Sequence, residues 1–65
     1  MTIHVNGQPV QADEGETITT LLAKRSLAPD KVAVEKNRRL LKSERYGELI
    51  NEGDQIEIVT FVGGG

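Results

Sequence analysis

The chain has 65 residues, of which 37% are hydrophobic and 28% charged, and its formal net charge is -2. This length allows one small domain without room for a large buried active-site cleft, so an enzyme that acts alone is not expected. The acidic balance argues against nucleic acid as a partner, the lack of cysteine excludes disulfides and thiolate metal sites, and no apolar run approaches the roughly 20 residues of a membrane span.

The opening residues predict a β-hairpin. Residues 2–6 alternate, with Ile3 and Val5 on one face, and Asn6-Gly7 is a strong tight-turn signal leading into a second strand over residues 8–12. The sequence begins directly with this alternating pattern and carries no secretory signal, so a cytoplasmic protein is expected.

One short helix is predicted next. Thr17 stands where it can cap a helix, and the following apolar residues have the i, i+3, i+4 spacing of a buried helical stripe: Ile18, Leu21 and Leu22. Pro29 prevents the helix from continuing, and Leu27 is expected to pack against the same stripe.

The second half of the chain predicts short strands joined by turns. Val32-Ala33-Val34 reads as a strand, residues 35–39 as a solvated stretch or turn, and Leu40-Leu41 as another very short strand. Residues 43–46 can form a single helical turn that brings three side chains inward: Tyr46, Leu49 and Ile50.

The last predicted strand, residues 55–62, is the most hydrophobic one. It is expected at the centre of the sheet, beside the first strand and parallel to it. The order ββαββ, with a small turn before the last strand, predicts an α+β protein of the β-grasp type. In this fold, a mixed sheet of four to five strands packs on one main helix. Residues 1–62 form the domain, and residues 63–65 form a flexible glycine tail.

The tail is the first candidate for a functional element. Gly63-Gly64-Gly65 gains nothing from hydrophobic burial, yet it can enter clefts that any Cβ atom would obstruct. This indicates a segment that enters the active site of another protein. The alternative is a frayed or engineered end.

The chain resembles the sulfur carrier proteins of thiamine biosynthesis, which are ubiquitin-like β-grasp proteins. The resemblance covers the whole length and rests on six segments: residues 3–7, 21–23, 32–37, 52–54, 56–59 and 63–65. One departure is that Lys42-Ser43 follows Leu40-Leu41, where such carriers often have a Pro-Arg pair. The resemblance implies a protein that is not an enzyme, with no catalytic residue, metal site or stably bound cofactor of its own.

The resemblance also implies a set of partners. An adenylating enzyme similar to ubiquitin-activating enzymes uses ATP and magnesium to activate the carboxylate of Gly65. A sulfur donor protein then converts the adenylate into a thiocarboxylate, which a thiazole synthase consumes. Gly63 and Gly64 carry this terminus through a narrow channel, with Gly63 as the joint to the last strand.

A second candidate is apolar surface near the tail. If Ile56 and Ile58 point inward, Val59 and Phe61 lie on the opposite face, where they would form, together with Val62, a docking surface for the adenylating enzyme. The alternative is that Phe61 folds over the sheet edge or caps the core.

Three other functional candidates are weak, and two other functions stay open. His4 and the pair Arg38-Arg39 read as solvated surface, and Tyr46 reads as a residue at the edge of the core. One other function is the small subunit of a molybdopterin synthase or another ubiquitin-like sulfur carrier. A β-grasp module that binds a protein or RNA without covalent chemistry is the alternative of a different class.

Overall fold

A computed structural model describes residues 1–61 of the chain. This part contains five strands and one α-helix. In chain order they are β1 (Thr2–Val5), β2 (Gln8–Gln11), α1 (Ile18–Lys24), β3 (Val32–Lys36), β4 (Arg39–Leu41) and β5 (Gln55–Thr60). Single 3-10 turns at Pro29–Lys31 and Ser43–Arg45 precede β3 and follow β4. The predicted domain boundary after Val62 falls outside the described residues.

The strands form a single mixed sheet in the order β2-β1-β5-β3-β4. β5 is parallel to β1 and antiparallel to β3, while both hairpins, β1–β2 and β3–β4, are antiparallel. The central position of the last strand and its parallel pairing with the first are therefore confirmed, as is the β-grasp arrangement.

The core lies between α1 and one face of the sheet. It contains the predicted helix stripe, the inward residues of β1, β3 and β5, and three residues of loops: Ile3, Val5, Ala12, Ile18, Leu21, Leu22, Val32, Val34, Tyr46, Ile50, Ile56 and Ile58. Leu27 packs against this cluster, as predicted. Burial of each large apolar side chain contributes roughly 1.5–3 kcal/mol, which is substantial for so small a domain.

α1 begins at the predicted cap. The Thr17 hydroxyl accepts a hydrogen bond from the Thr20 N–H at 3.2 Å, and the Thr20 hydroxyl accepts one from the Thr17 N–H at 2.9 Å. This reciprocal pair satisfies two N–H groups that the first turn of a helix leaves without intrahelical partners.

The prediction of a turn over residues 35–39 is wrong in its extent. β3 continues to Lys36 and β4 begins at Arg39, so the connection is only Asn37-Arg38, with φ angles of 54° and 70°. Two consecutive positive φ angles are typical of the tight hairpin turns that suit the twist of paired strands. Arginine seldom adopts a positive φ angle, so the sequence carried no signal for a two-residue turn at Asn37-Arg38.

The inward position predicted for Leu49 is also wrong, because its side chain is 58% exposed. Leu49 forms an isolated bridge with Thr17, and the backbone there is extended. Neighbouring side chains alternate in extended backbone, so the buried Ile50 turns Leu49 outward.

Candidate functional site

The end of β5 that leads toward the glycines separates buried from exposed side chains. Ile56 and Ile58 are 0% and 8% exposed, whereas Val59 and Phe61 are 60% and 55% exposed. The predicted alternation of buried and exposed side chains along β5 is therefore confirmed, and Phe61 does not cap the core. The proposed docking role of Val59 and Phe61 stays a prediction.

Sheet pairing determines what surrounds these two side chains. Val59 pairs with Ala33, and the Phe61 N–H donates to the Lys31 carbonyl at 2.8 Å, so the backbone at Phe61 is still held against the start of β3. The exposed apolar groups thus lie on the last residues of β5, and just after it, that are anchored to the sheet within residues 1–61. Val62, Gly63, Gly64 and Gly65 lie outside the described residues.

We call the surface that carries Val59 and Phe61 the outer face. Three further residues lie on it: Glu35, Glu57 and Leu40. Glu35 is paired with Glu57 on β5 and with Leu40 on β4, and strand alternation places this row on the same side as Ala33 and Val59. Leu40 is 68% exposed. The outer face therefore combines exposed apolar side chains with two glutamates that stand directly opposite each other.

Like charges directly opposite each other on a sheet weaken it. A partner that brings cationic side chains to Glu35 and Glu57 would relieve this repulsion while its apolar groups cover Val59 and Phe61. The sequence reading missed Leu40 and Glu35 as surface neighbours of β5. Alternation alone assigns them to a face, but only the register of the strands places them together.

The reading of His4 as solvated surface needs correction. His4 lies on β1 between Pro9 of β2 and Gln55 of β5, and its Nδ1 atom is buried without a hydrogen-bond partner among residues 1–61. Its strand is an inner one, so neighbours flank it on both sides.

Within residues 1–61, no three His, Cys, Asp or Glu side chains come together in a way that could hold a metal ion. None of the helices in this range has the length and apolar character needed to cross a membrane.

Comparison with known proteins decides the family. The ThiS family matches residues 3–65, and the sulfur carrier protein ThiS of Bacillus subtilis is 44% identical over 97% of this chain and 98% of its own length. The chain belongs to the ThiS family. The resemblance seen in the sequence is thereby confirmed.

Solved structures agree with this assignment. The crystal structure of the thiamine biosynthesis protein ThiS from Geobacter metallireducens superposes with a TM-score of 0.80 at 35% identity, covering all of both chains. A ubiquitin-like protein from Caldiarchaeum subterraneum gives a TM-score of 0.54 at 23% identity over 98% of this chain and all of that one, which supports the fold alone.

Other relatives contain the ThiS-like sequence as part of a longer chain. A thiazole synthase from Magnetococcus marinus is 47% identical over 66 residues that cover all of this chain and 20% of the synthase. The chain likewise spans only 20% of a second thiazole synthase, from Paramagnetospirillum magneticum, at 35% identity. In both proteins a ThiS-like segment and a thiazole synthase share one polypeptide.

Proposed function

We propose that this ThiS-family protein carries sulfur for thiazole formation in thiamine biosynthesis as a thiocarboxylate on Gly65. The observation that carries the proposal is the family match, which runs through the fold and the glycines to residue 65. The central strand β5 supports it, because this strand leads directly toward those glycines from an exposed apolar surface.

The chemistry of a terminal carboxylate explains why partners are needed. With a typical pKa of about 3.3–3.7 it is ionised at neutral pH, and its negative charge makes it a poor acceptor for a sulfur nucleophile. Attack of a carboxylate oxygen on the α-phosphorus of ATP releases pyrophosphate and leaves an acyl adenylate. ATP and magnesium belong to the adenylating enzyme, which also supplies the groups that stabilise the phosphates.

Sulfur enters in the next step. The terminal sulfur of a persulfide on the donor protein attacks the acyl carbon and displaces AMP, forming an acyl disulfide. A second thiol then attacks the donor's sulfur of that disulfide, so that a protein disulfide forms and the thiocarboxylate leaves on Gly65. Because the reaction consumes ATP, we assign it to the cytoplasm.

The first experiment tests the carrier role itself. The protein is incubated with ATP, magnesium, its adenylating enzyme and a sulfur donor, and its intact mass is measured before fragmentation of the C-terminal peptide. We expect one oxygen of Gly65 to be replaced by sulfur, and only when ATP is present. An unchanged mass with enzymes that load a known carrier contradicts the proposal.

Gly64→Ala tests the need for a side-chain-free terminus. A Cβ atom should block the narrow channel of the adenylating enzyme, so we expect loading to be abolished while the unfolding midpoint stays unchanged. Gly47→Ala is the matched control, since an added Cβ there meets no atom within 4 Å. Equal loading of the two variants would show that the channel tolerates a side chain.

We propose the outer face near Val59 and Phe61 as the docking surface for the adenylating enzyme. Phe61→Ala should raise the KM for the carrier about tenfold, because an exposed aromatic that becomes buried in an interface often contributes more than 1 kcal/mol. Leu49→Ala is the control, since Leu49 is equally exposed but lies near α1. Similar KM values for both variants would exclude this surface.

A thiazole synthase is the proposed acceptor, which the joined chains of the two bacterial synthases support. Loaded protein should lose its sulfur, and so about 16 Da of mass, when a thiazole synthase and its other substrates are added. Transfer to the large subunit of a molybdopterin synthase instead would favour the molybdopterin alternative.

A further inference from the structure

Asn6 joins the first hairpin turn to the central strand. It has a φ of 51°, and its side chain makes two hydrogen bonds to a single residue of β5. Its Oδ1 atom accepts from the Ile58 N–H at 2.7 Å, and its Nδ2 atom donates to the Ile58 carbonyl at 3.2 Å. Both backbone groups of Ile58 on that edge are thereby satisfied.

These two bonds continue the pairing of β1 with β5 after β1 has ended. The ladder runs from the His4 N–H to the Asp54 carbonyl, at 2.9 Å, and from the Asn6 N–H to the Ile56 carbonyl, at 2.8 Å. In a regular parallel pair, the next residue of β5 would bond to a carbonyl and to an N–H of the neighbouring strand. The backbone turns away at Asn6, and its side-chain amide provides that carbonyl and that N–H.

The two hydrogen bonds between Asn6 and Ile58 lie near the end of β5 that leads toward the glycines. Ile58 is followed by Val59 and Thr60, the last residue of β5, and by the outer-face residue Phe61. On the β1 side the Asn6 amide is thus the final support that the described residues give to β5 before it leaves the sheet. On the other side β3 accompanies β5 up to Thr60.

Asn37 has the same local geometry at the opposite end of β5. Its φ is 54°, its Oδ1 atom accepts from the Gln55 N–H at 3.0 Å, and its Nδ2 atom donates to Asp54 Oδ1 at 3.0 Å. Each asparagine therefore contributes two side-chain hydrogen bonds and has a positive φ angle. They differ in which end of β5 they hold.

We propose that Asn6 is a positioning residue that holds the tail-proximal end of β5 and so directs the C-terminal glycines into the partner's active site. This inference rests on the proposed carrier function. Asn6 touches neither the reacting carboxylate nor the sulfur; it acts through Ile58. Loss of its amide should loosen the end of β5 on the β1 side and weaken productive binding of the tail, without changing the chemical step.

The test compares Asn6→Gly with Asn37→Gly. Glycine accommodates the positive φ angle and removes the side-chain amide, and the loss of Cβ and the added backbone freedom are common to both variants. Amide hydrogen exchange is followed by NMR in both variants, and KM and kcat for loading are measured with the adenylating enzyme. Asn6→Asp is added because it retains an acceptor for the Ile58 N–H but lacks the donor.

We expect Asn6→Gly to speed exchange of the Ile58 amide about fivefold to thirtyfold, the factor that the net loss of one to two hydrogen bonds implies, and to raise KM by a similar factor at unchanged kcat. Asn37→Gly should speed exchange at Gln55 and leave KM unchanged. Asn6→Asp should fall between the parent and Asn6→Gly in both measurements.

Two results overturn the inference. If Ile58 exchanges at the same rate in Asn6→Gly as in Asn37→Gly, the amide does not hold the end of β5. If Ile58 exchange rises but both variants load with equal KM, Asn6 has a purely structural role. Failure of the parent protein to accept sulfur contradicts the proposed function instead. The exchange rates still show whether the Asn6 amide holds the end of β5.

Discussion

Ile3 and Leu49 show the two environments that an apolar side chain meets in this domain. Ile3 is completely buried in the core, whereas Leu49 is 58% exposed although it precedes a core residue. Removing one methyl group has a cost only where the surrounding atoms cannot close the gap, so the two sites should respond very differently to truncation.

Ile3→Val should lower the free energy of unfolding by about 0.5–1.5 kcal/mol, because it leaves a small cavity in the core. Leu49→Ala, which removes more atoms, should change it by less than about 0.5 kcal/mol. Urea unfolding of the two variants and the parent gives both values. A larger loss for Leu49→Ala would mean that its side chain is covered in solution.

Individual residues of the turn after β4 were predictable only in part. Tyr46, Leu49 and Ile50 have the spacing of a helix face, and the burial of Tyr46 and Ile50 is confirmed. The 3-10 turn ends at Arg45, however, so the helical spacing no longer applies at Leu49. Periodicity in a sequence cannot show where one backbone conformation replaces another.

Among the elements, α1 depends most on its surroundings, since a helix of 7 residues is too short to be stable alone. Beside the threonine pair, Glu16 is 4% exposed and accepts a hydrogen bond from Lys24 Nζ at 2.7 Å across the helix. This bond, with one from Thr20, lowers the pKa of Glu16 despite its burial. The hydrogen bond to Glu16 and, as the next largest cause, the hydrogen bond to Asp13 raise the pKa of Lys24.

Stability should therefore depend on the charge of Glu16. Its pKa in the folded protein lies below the ordinary value of 4.5, so its contribution is complete above that value and is lost as the pH falls through the lowered pKa. Glu16→Gln should destabilise the protein at neutral pH and flatten the acid decline in the free energy of unfolding. Urea unfolding at several pH values measures both effects.

Glu14→Gln is the matched control for this prediction, since Glu14 is an exposed carboxylate two residues earlier. The two variants should differ most at neutral pH and converge in acid. If their unfolding curves decline in parallel with pH, Glu16 does not anchor α1 through its charge.

The elements that local signals mark were predicted well. Asn6-Gly7 forms the expected turn with φ angles of 51° and 81°, and Thr17 caps α1. The ion pair between Glu16 and Lys24 was not foreseen, because the two residues are eight positions apart and no local pattern indicates their contact. Their contact depends on how the loop before α1 folds back along the helix.

For the molecule as a whole, the hydrophobic last strand indicated its own central place in the sheet, which the structure confirms, whereas the chemical role of the glycines stays a prediction. The rest of the candidate site comes from pairing between distant residues. Glu35 meets Glu57, and Asn6 meets Ile58, across 22 and 52 positions in sequence. No local pattern carries such register information, although it decides which side chains form the outer face.

The central place of β5 also has a consequence for the synthesis of the protein. Translation makes this strand after all the others, so until residues 55–60 leave the ribosome, β1 and β3 have no strand between them. A product that stops earlier would present two unpaired edges in the middle of its sheet, a form prone to aggregation. Under the proposed function, the glycines are therefore presented to a partner only from a chain whose central strand has completed the sheet.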